Sequence, residues 1–188
     1  MLVVEDEPLY RDLLVNAIVS RIPDVSVVGH FATGEEALAA VGPDDVDVLL
    51  TDIDLGAGMT GTVLGVEMRR RTTTRGVVLL SNLALPGVLT TLPADVQGGW
   101  SYLLKTSVSD VEQLGTAIEA ASAGEVVVDE ALVDDFVVTL SGRSVESIVS
   151  DLITALDITG AELGMNPRVT AVLLYVRNST PRSAGSLG

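Results

Sequence analysis

The sequence predicts an α/β fold: a doubly wound, five-stranded parallel sheet, followed by a small all-α domain. Three observations predict it. Short β-rich runs alternate with helical periodicities over the first 125 residues, the pattern of a parallel sheet covered on both faces. The hydrophobic fraction is 47% with only 3% aromatics, so the core is aliphatic and the chain globular. Charge is unevenly spread: residues 1–142 carry 22 acids against 7 bases, the whole net charge of −15, whereas residues 143–188 hold 4 of each.

The strands fall, in order, at LVV (2–4), VSVV (25–28), VDVLL (46–50), VVLLS (77–81) and YLLK (102–105). The clearest helical pattern puts Leu9, Leu13, Leu14, Ala17 and Ile18 on one face and is closed by Pro23. Others follow at GEEALAAV (34–41), GTVLGVEMRRR (61–71) and, more weakly, LPGVLTTL (85–92). The last, SDVEQLGTAIEAASAG (109–124), has Ser109 as N-cap and Gly124 as C-cap. Domain limits follow: 1–124 for the α/β part, 125–142 for a linker with a helix at 130–139, and 143–188 for the C-terminal part. That part carries helical patterns at 144–156 and 168–178, then a loose tail, STPRSAGSLG.

Composition also excludes function classes. Without cysteine there is no disulfide scaffold, thiol nucleophile or cysteine zinc site. His30 is the only histidine, which argues against a histidine metal cluster or a Ser-His-Asp triad, and it reads as a strand-end residue without a role. Apolar runs of about five residues fall far short of the ~20 needed to span a bilayer. MLVVEDEP turns acidic too soon for a signal peptide, so a cytoplasmic protein is expected. The acidic first part repels nucleic acid, so any DNA contact belongs to the C-terminal part. RRRTTTR (69–75) reads as a solvated helix end whose charge complements the helix dipole, and Trp100 as packing or partner surface. Lys105 is the only lysine beside ten arginines, which asks for a reason.

The strand ends supply one. Strand 1 ends in Glu5-Asp6, strand 3 in Asp52, strand 4 in Ser81 and strand 5 in Lys105, and a doubly wound sheet gathers these at one rim. At ~4 Å and an effective dielectric of about 20, each carboxylate pair repels by on the order of 4 kcal/mol. A hard divalent cation relieves this, and Mg²⁺ suits carboxylates, a backbone carbonyl and retained waters. A lysine and a hydroxyl opposite would hold an anion, leaving one carboxylate as a nucleophile toward phosphorus.

LVVEDEP, LLTDIDL, LLSN and YLLK, in this order and spacing, resemble the receiver domain of two-component response regulators across roughly residues 1–124. The resemblance implies a flavodoxin-like fold, no enzymatic turnover, and Asp52 as phospho-acceptor. It further implies Mg²⁺ held by Glu5, Asp6, Asp52 and the backbone carbonyl of Asp54. Ser81 and Tyr102 match the switch residues, and Lys105 pairs with the phosphoryl group. The chain departs from the family at Gly56, where proline is usual, in a GAGMTG loop one residue longer than common, and at Thr106 after the lysine.

GRSVESIVSDL (142–152) and ELGMNPRVTAVLLYVRN (162–178) are similar to helices of LuxR/NarL-type helix-turn-helix domains. The scaffold helix before residue 142 and a basic recognition helix are not evident, so that domain reads as shortened or incompletely represented. Arg168 and Arg177 could meet DNA phosphates, although helix 168–178 is better explained by packing. Implied partners are a sensor histidine kinase, promoter DNA through the C-terminal domain and a second copy of the chain, with no membrane. Two alternatives stand beside this reading. A receiver acting through protein partners without DNA suits the neutral C-terminal part. A haloacid-dehalogenase-like Mg²⁺ phosphohydrolase suits TDIDLG, but its motif ends the first strand and carries Thr or Val where Gly56 stands.

Overall fold

The computed structural model describes residues 1–83, 88, 92–96, 98–109, 111–129 and 132. It divides into two compact units, the first formed by Met1–Ala84 with Thr91–Asp129. Of the second, Leu85–Thr90 with Glu130–Gly188, only Val88 and Leu132 are among the described residues. The expected helices at 130–139, 144–156 and 168–178, with Arg168 and Arg177, therefore lie outside the described residues, as does most of that at 85–92.

The first unit is built on six parallel strands: β1 (Leu2–Val4), β2 (Gly29–Phe31), β3 (Val48–Asp52), β4 (Gly76–Ser81), β5 (Trp100–Leu104) and β6 (Val127–Val128). Their order in the sheet is β2-β1-β3-β4-β5-β6. Order reverses between β1 and β3, and the C-terminal ends flanking that crevice are where such a sheet places its site. Among the described residues, four helices cover the sheet: α1 (Pro8–Arg21), α2 (Gly34–Ala40), α3 (Gly61–Arg71) and α4 (Val111–Ser122). Helix α1 packs beside α4, and α2 beside α3. Among the described residues, no helix is long and apolar enough to cross a membrane.

Local sequence sets the helix starts. Pro8 opens α1, where its fixed φ and missing N–H cost nothing. Thr33 and Thr60 cap α2 and α3, their hydroxyls accepting from the Glu36 and Val63 amides at 3.2 and 3.4 Å. Arg69, Arg70 and Arg71 end α3, as the helix dipole favours. There Arg70 pairs with Asp95 and Arg71 with Glu67. Gly124, at φ +84°, follows α4 as expected. Helix α4 itself begins at Val111, and Ser109 is the last residue of a 3₁₀ turn (Ser107–Ser109) before it.

The main core lies between the sheet and α1 and α4. Leu14 and Ile18 meet Val3, Leu50, Val78, Leu80 and Leu103, with Leu114, Ala117 and Ile118 closing it. Each buried Val, Leu or Ile contributes about 1.5–3 kcal/mol. The expected α1 face is only partly right: Leu9 and Leu13 are 78% and 56% exposed. At 100° per residue they lie roughly 140° and 100° away from the Leu14–Ile18 stripe.

Two strand expectations also change. The second strand is Gly29–Phe31 and not 25–28, because the three residues of β1 pair only with these. Val28 adds a single ladder bond to Met1 and stays exposed. The sheet has six strands, not five. Val127 and Val128, expected in the linker, pair with Ser101 and Tyr102, and the buried Asp129 accepts from the Leu104 amide at 3.1 Å. His30 is exposed on β2.

Trp100 is fully buried, and its indole N–H donates to the Val96 carbonyl at 2.5 Å. Its ring fills the space beneath Gly65 of α3, where a Cβ would fall 2.6 Å from the ring edge. Gly65→Ala should therefore destabilise the protein by about 1–3 kcal/mol, although alanine favours a helix interior by about 1 kcal/mol. A urea titration showing the variant at or above wild-type stability would refute this packing.

Candidate functional site

The strand registers bring the predicted residues together. Val4 pairs with Thr51, so Glu5 and Asp52 become neighbours across the β1–β3 switch. Ser81 pairs with Leu104, and the Lys105 amide donates to the Ser81 carbonyl at 2.8 Å. The Lys105 ammonium then bonds Asp52 Oδ2 at 2.7 Å and Glu5 at 2.8 and 2.9 Å. Glu5 is fully buried, and the Lys105 side chain is only 9% exposed.

Electrostatics follow from this burial. Desolvation raises the Glu5 carboxyl above its ordinary value, against the opposing pull of Lys105. Desolvation alone would lower Lys105, but its hydrogen bonds to Asp52 and Glu5 outweigh that and raise it. Asp6 is exposed and completes an acidic cluster: Glu5, Asp6 and Asp52 each offer a carboxylate oxygen within 4.8 Å of the others. Three carboxylates around one ammonium leave an excess of negative charge. The oxygen-only donor set, open to solvent on the Asp6 side, fits a hard divalent cation.

The other predicted residues surround this centre. Ser81 and Tyr102 meet at the Leu83 carbonyl, to which their hydroxyls donate at 2.8 and 3.0 Å. Ser81 also accepts from the Leu83 amide, so it closes a small turn and does not reach toward Asp52. The Asp54 carboxylate is exposed and turns back to the Gly56 amide, while the Asp54 amide donates to Asp52 Oδ1, both at 3.2 Å.

Gly56 has φ +73°, which proline's ring forbids, and a Cβ there would stand 3.6 Å from Asp6 Oδ2. The longer loop is held at its far end by Glu35 of α2, which accepts from the Met59 amide at 2.9 Å.

Two residues at the site escape sequence reasoning. The Tyr10 ring lies under the Lys105 ammonium, 4.7 Å from it. Arg11 donates to the Glu5 carbonyl at 2.5 Å, fixing the turn that carries the acidic pair. Both sit in the first turn of α1, where only the apolar stripe draws notice; their spacing of five and six residues from Glu5 is the available signal.

Lys105→Met would leave two buried carboxylates without their cation, at a cost on the order of 3 kcal/mol. Because the Glu5 carboxyl titrates above its unfolded value, protonating it favours the folded state. That gain appears as pH falls through the folded pKa and is complete below the unfolded one. The loss should thus be largest near pH 7 and smaller at roughly pH 4.5, and a divalent cation should restore part of it. Denaturant titrations showing an equal loss at both pH values would contradict this.

Comparison with known proteins agrees with the geometry. The family profile of the response regulator receiver domain matches residues 1–119. The nitrate/nitrite response regulator protein NarL of Escherichia coli K12 is 32% identical over 133 residues, covering 70% of this chain and 58% of NarL. The transcriptional regulatory protein DesR of Bacillus subtilis 168 is 30% identical over 134 residues, covering 71% and 63%. The chain thus spans less than two thirds of these relatives' length. Among solved structures, the RcsB response regulator of Salmonella typhimurium shares the fold, with a TM-score of 0.61 at 18% identity, covering 94% of this chain and 84% of that one. The isolated RcsB receiver domain from Salmonella enterica serovar Typhimurium with phosphomimetic BeF3⁻ gives 0.57 at 21%, covering 70% and 93%. With the switch-point crevice, the acidic cluster and the buried lysine all in register, the chain belongs to the response regulator receiver domain family.

Proposed function

We propose that this chain is a phosphorylation-controlled response regulator with Asp52 as phospho-acceptor and a histidine kinase as donor. The observation that carries the reading is the Lys105 ammonium bonded to Asp52 and Glu5 at the sheet's switch point. An Asp52 oxygen attacks the phosphorus of a phosphohistidine; a P–O bond forms, the P–N bond breaks, and the departing imidazole nitrogen takes a proton. Lys105 would hold the incoming phosphoryl oxygens. Glu5, Asp6 and Asp52, with the Asp54 backbone carbonyl, would hold Mg²⁺, which when bound neutralises charge on the transferring group.

The product carries nearly two negative charges about the site. It offers Ser81 a stronger acceptor than the Leu83 carbonyl, and Tyr102 shares that carbonyl. The receiver, expected at 1–124, extends through β6 to Asp129, the linker runs on to 142, and 143–188 form a helix-turn-helix-like domain that is shortened or incompletely represented. Through that last part the protein, acting as a homodimer in the cytoplasm, controls transcription at a promoter. It is a regulator and not an enzyme. NarL and DesR are themselves named as a response regulator and a transcriptional regulatory protein.

Asp52→Asn should abolish phosphate uptake from a kinase or from acetyl phosphate, whereas Asp54→Asn should change it less than about threefold, since only its carbonyl is used. Equal losses in the two variants would overturn the assignment. Promoter binding should weaken steeply with salt, as phosphate contacts require. A salt-independent or absent DNA complex would instead favour regulation through protein partners.

A further inference from the structure

We infer that Tyr10 is a positioning residue for Lys105, its ring face holding the ammonium against Asp52 and Glu5. The ammonium lies 4.7 Å from the ring centroid, inside the ~6 Å over which a ring quadrupole attracts a cation. The Tyr10 hydroxyl meanwhile reaches the backbone carbonyl of Lys105 at 3.4 Å. One residue of α1 thus touches Lys105 at both ends, ninety-five positions along the chain.

Free lysine is a poor anchor. Its four-carbon stem carries about 2 kcal/mol of rotamer freedom that a fixed ammonium must give up. The two carboxylates bind the tip, and the ring walls it further, so that the side chain stays 9% exposed although it sits at the rim of the sheet. Placement of the ring follows from the sequence. Strand β1 ends at Val4, Pro8 opens α1, and Tyr10 falls in the first turn, beside the crevice. Burial pushes the Tyr10 phenol up to about 12, so the cation faces a neutral ring throughout the working pH range. An aliphatic side chain could pack on the same core but would present no quadrupole.

This inference rests on the phospho-acceptor reading only for what the held ammonium serves. The single lysine of this sequence supplies a direct test: the 188-residue chain labelled with ¹⁵N-lysine gives one ammonium signal. Wild type and Tyr10→Phe should show the same slow solvent exchange of the Lys105 ammonium. Tyr10→Leu should speed it about fivefold, the size of a partly desolvated cation–π contact. Tyr10→Met, ringless but unbranched and flexible enough to fill an irregular gap, is the second arm should Tyr10→Leu fold poorly. Phosphate uptake from acetyl phosphate should fall by a similar factor in the ringless variants and recover in Tyr10→Phe.

Unchanged exchange in both ringless variants overturns the role, as does unchanged uptake beside a phosphorylated wild type. The two readings fail separately. A wild type that takes no phosphate overturns the phospho-acceptor reading, and the lysine exchange rates then decide the placement on their own.

Discussion

The Lys105 ammonium stands 2.7 Å from Asp52 and 2.8 Å from Glu5, and this contact ties the C-terminal ends of β1, β3 and β5 together. Burying two carboxylates side by side is expensive, and without a cation the sheet's switch point would carry two uncompensated buried charges. One lysine offsets that cost but not all of the charge, since Asp6 adds a third carboxylate. The residue is therefore a structural tie that still leaves the acidic cluster with an appetite for positive charge. Arg11 on the Glu5 carbonyl and Tyr10 on Lys105 show how α1 reinforces the arrangement from outside the sheet.

The Leu83 carbonyl plays the opposite part. It takes two hydroxyls, from Ser81 and Tyr102, and a carbonyl has only two lone pairs to offer. A neutral hydrogen bond is worth about 0.5–1.5 kcal/mol net, and one to a charged acceptor roughly twice that. On the proposed reading, exchanging Leu83 for a phosphoryl oxygen therefore gains Ser81 about 1 kcal/mol, enough to shift a population but not to lock it. Tyr102 lies on β5, whose outer neighbour is β6 with the buried Asp129. The segment leaving the first unit is thus bonded to the same strand that carries Tyr102 and leads into Lys105.

Much of this centre is legible in the sequence because strand ends are short, apolar runs that stop at an acid, a serine or a lysine. Glu5, Asp52, Ser81 and Lys105 are found without knowing any contact, since parallel order alone carries them to one rim. The helices at 34–40 and 61–71 are legible for a similar reason, each opening at a threonine and a glycine. What is not legible depends on rotation and register. Leu9 and Leu13 belong to the apolar pattern of α1 yet face solvent, because the helix turns by its packed residues and not by its average. The strand at 29–31 depends on where β1 offers partners, and β6 on a pairing that two valines cannot announce. Tyr10 is hidden because its partner lies ninety-five residues away.

Gly56 has a consequence of another kind. Its φ of +73° and the φ of +120° at Gly58 give the loop a path that glycine takes without strain. Proline needs a φ near −65°, so a Gly56→Pro exchange would not stiffen this loop in place. It would force the backbone after Asp54 onto another path and take away the Gly56 amide that the Asp54 carboxylate now holds.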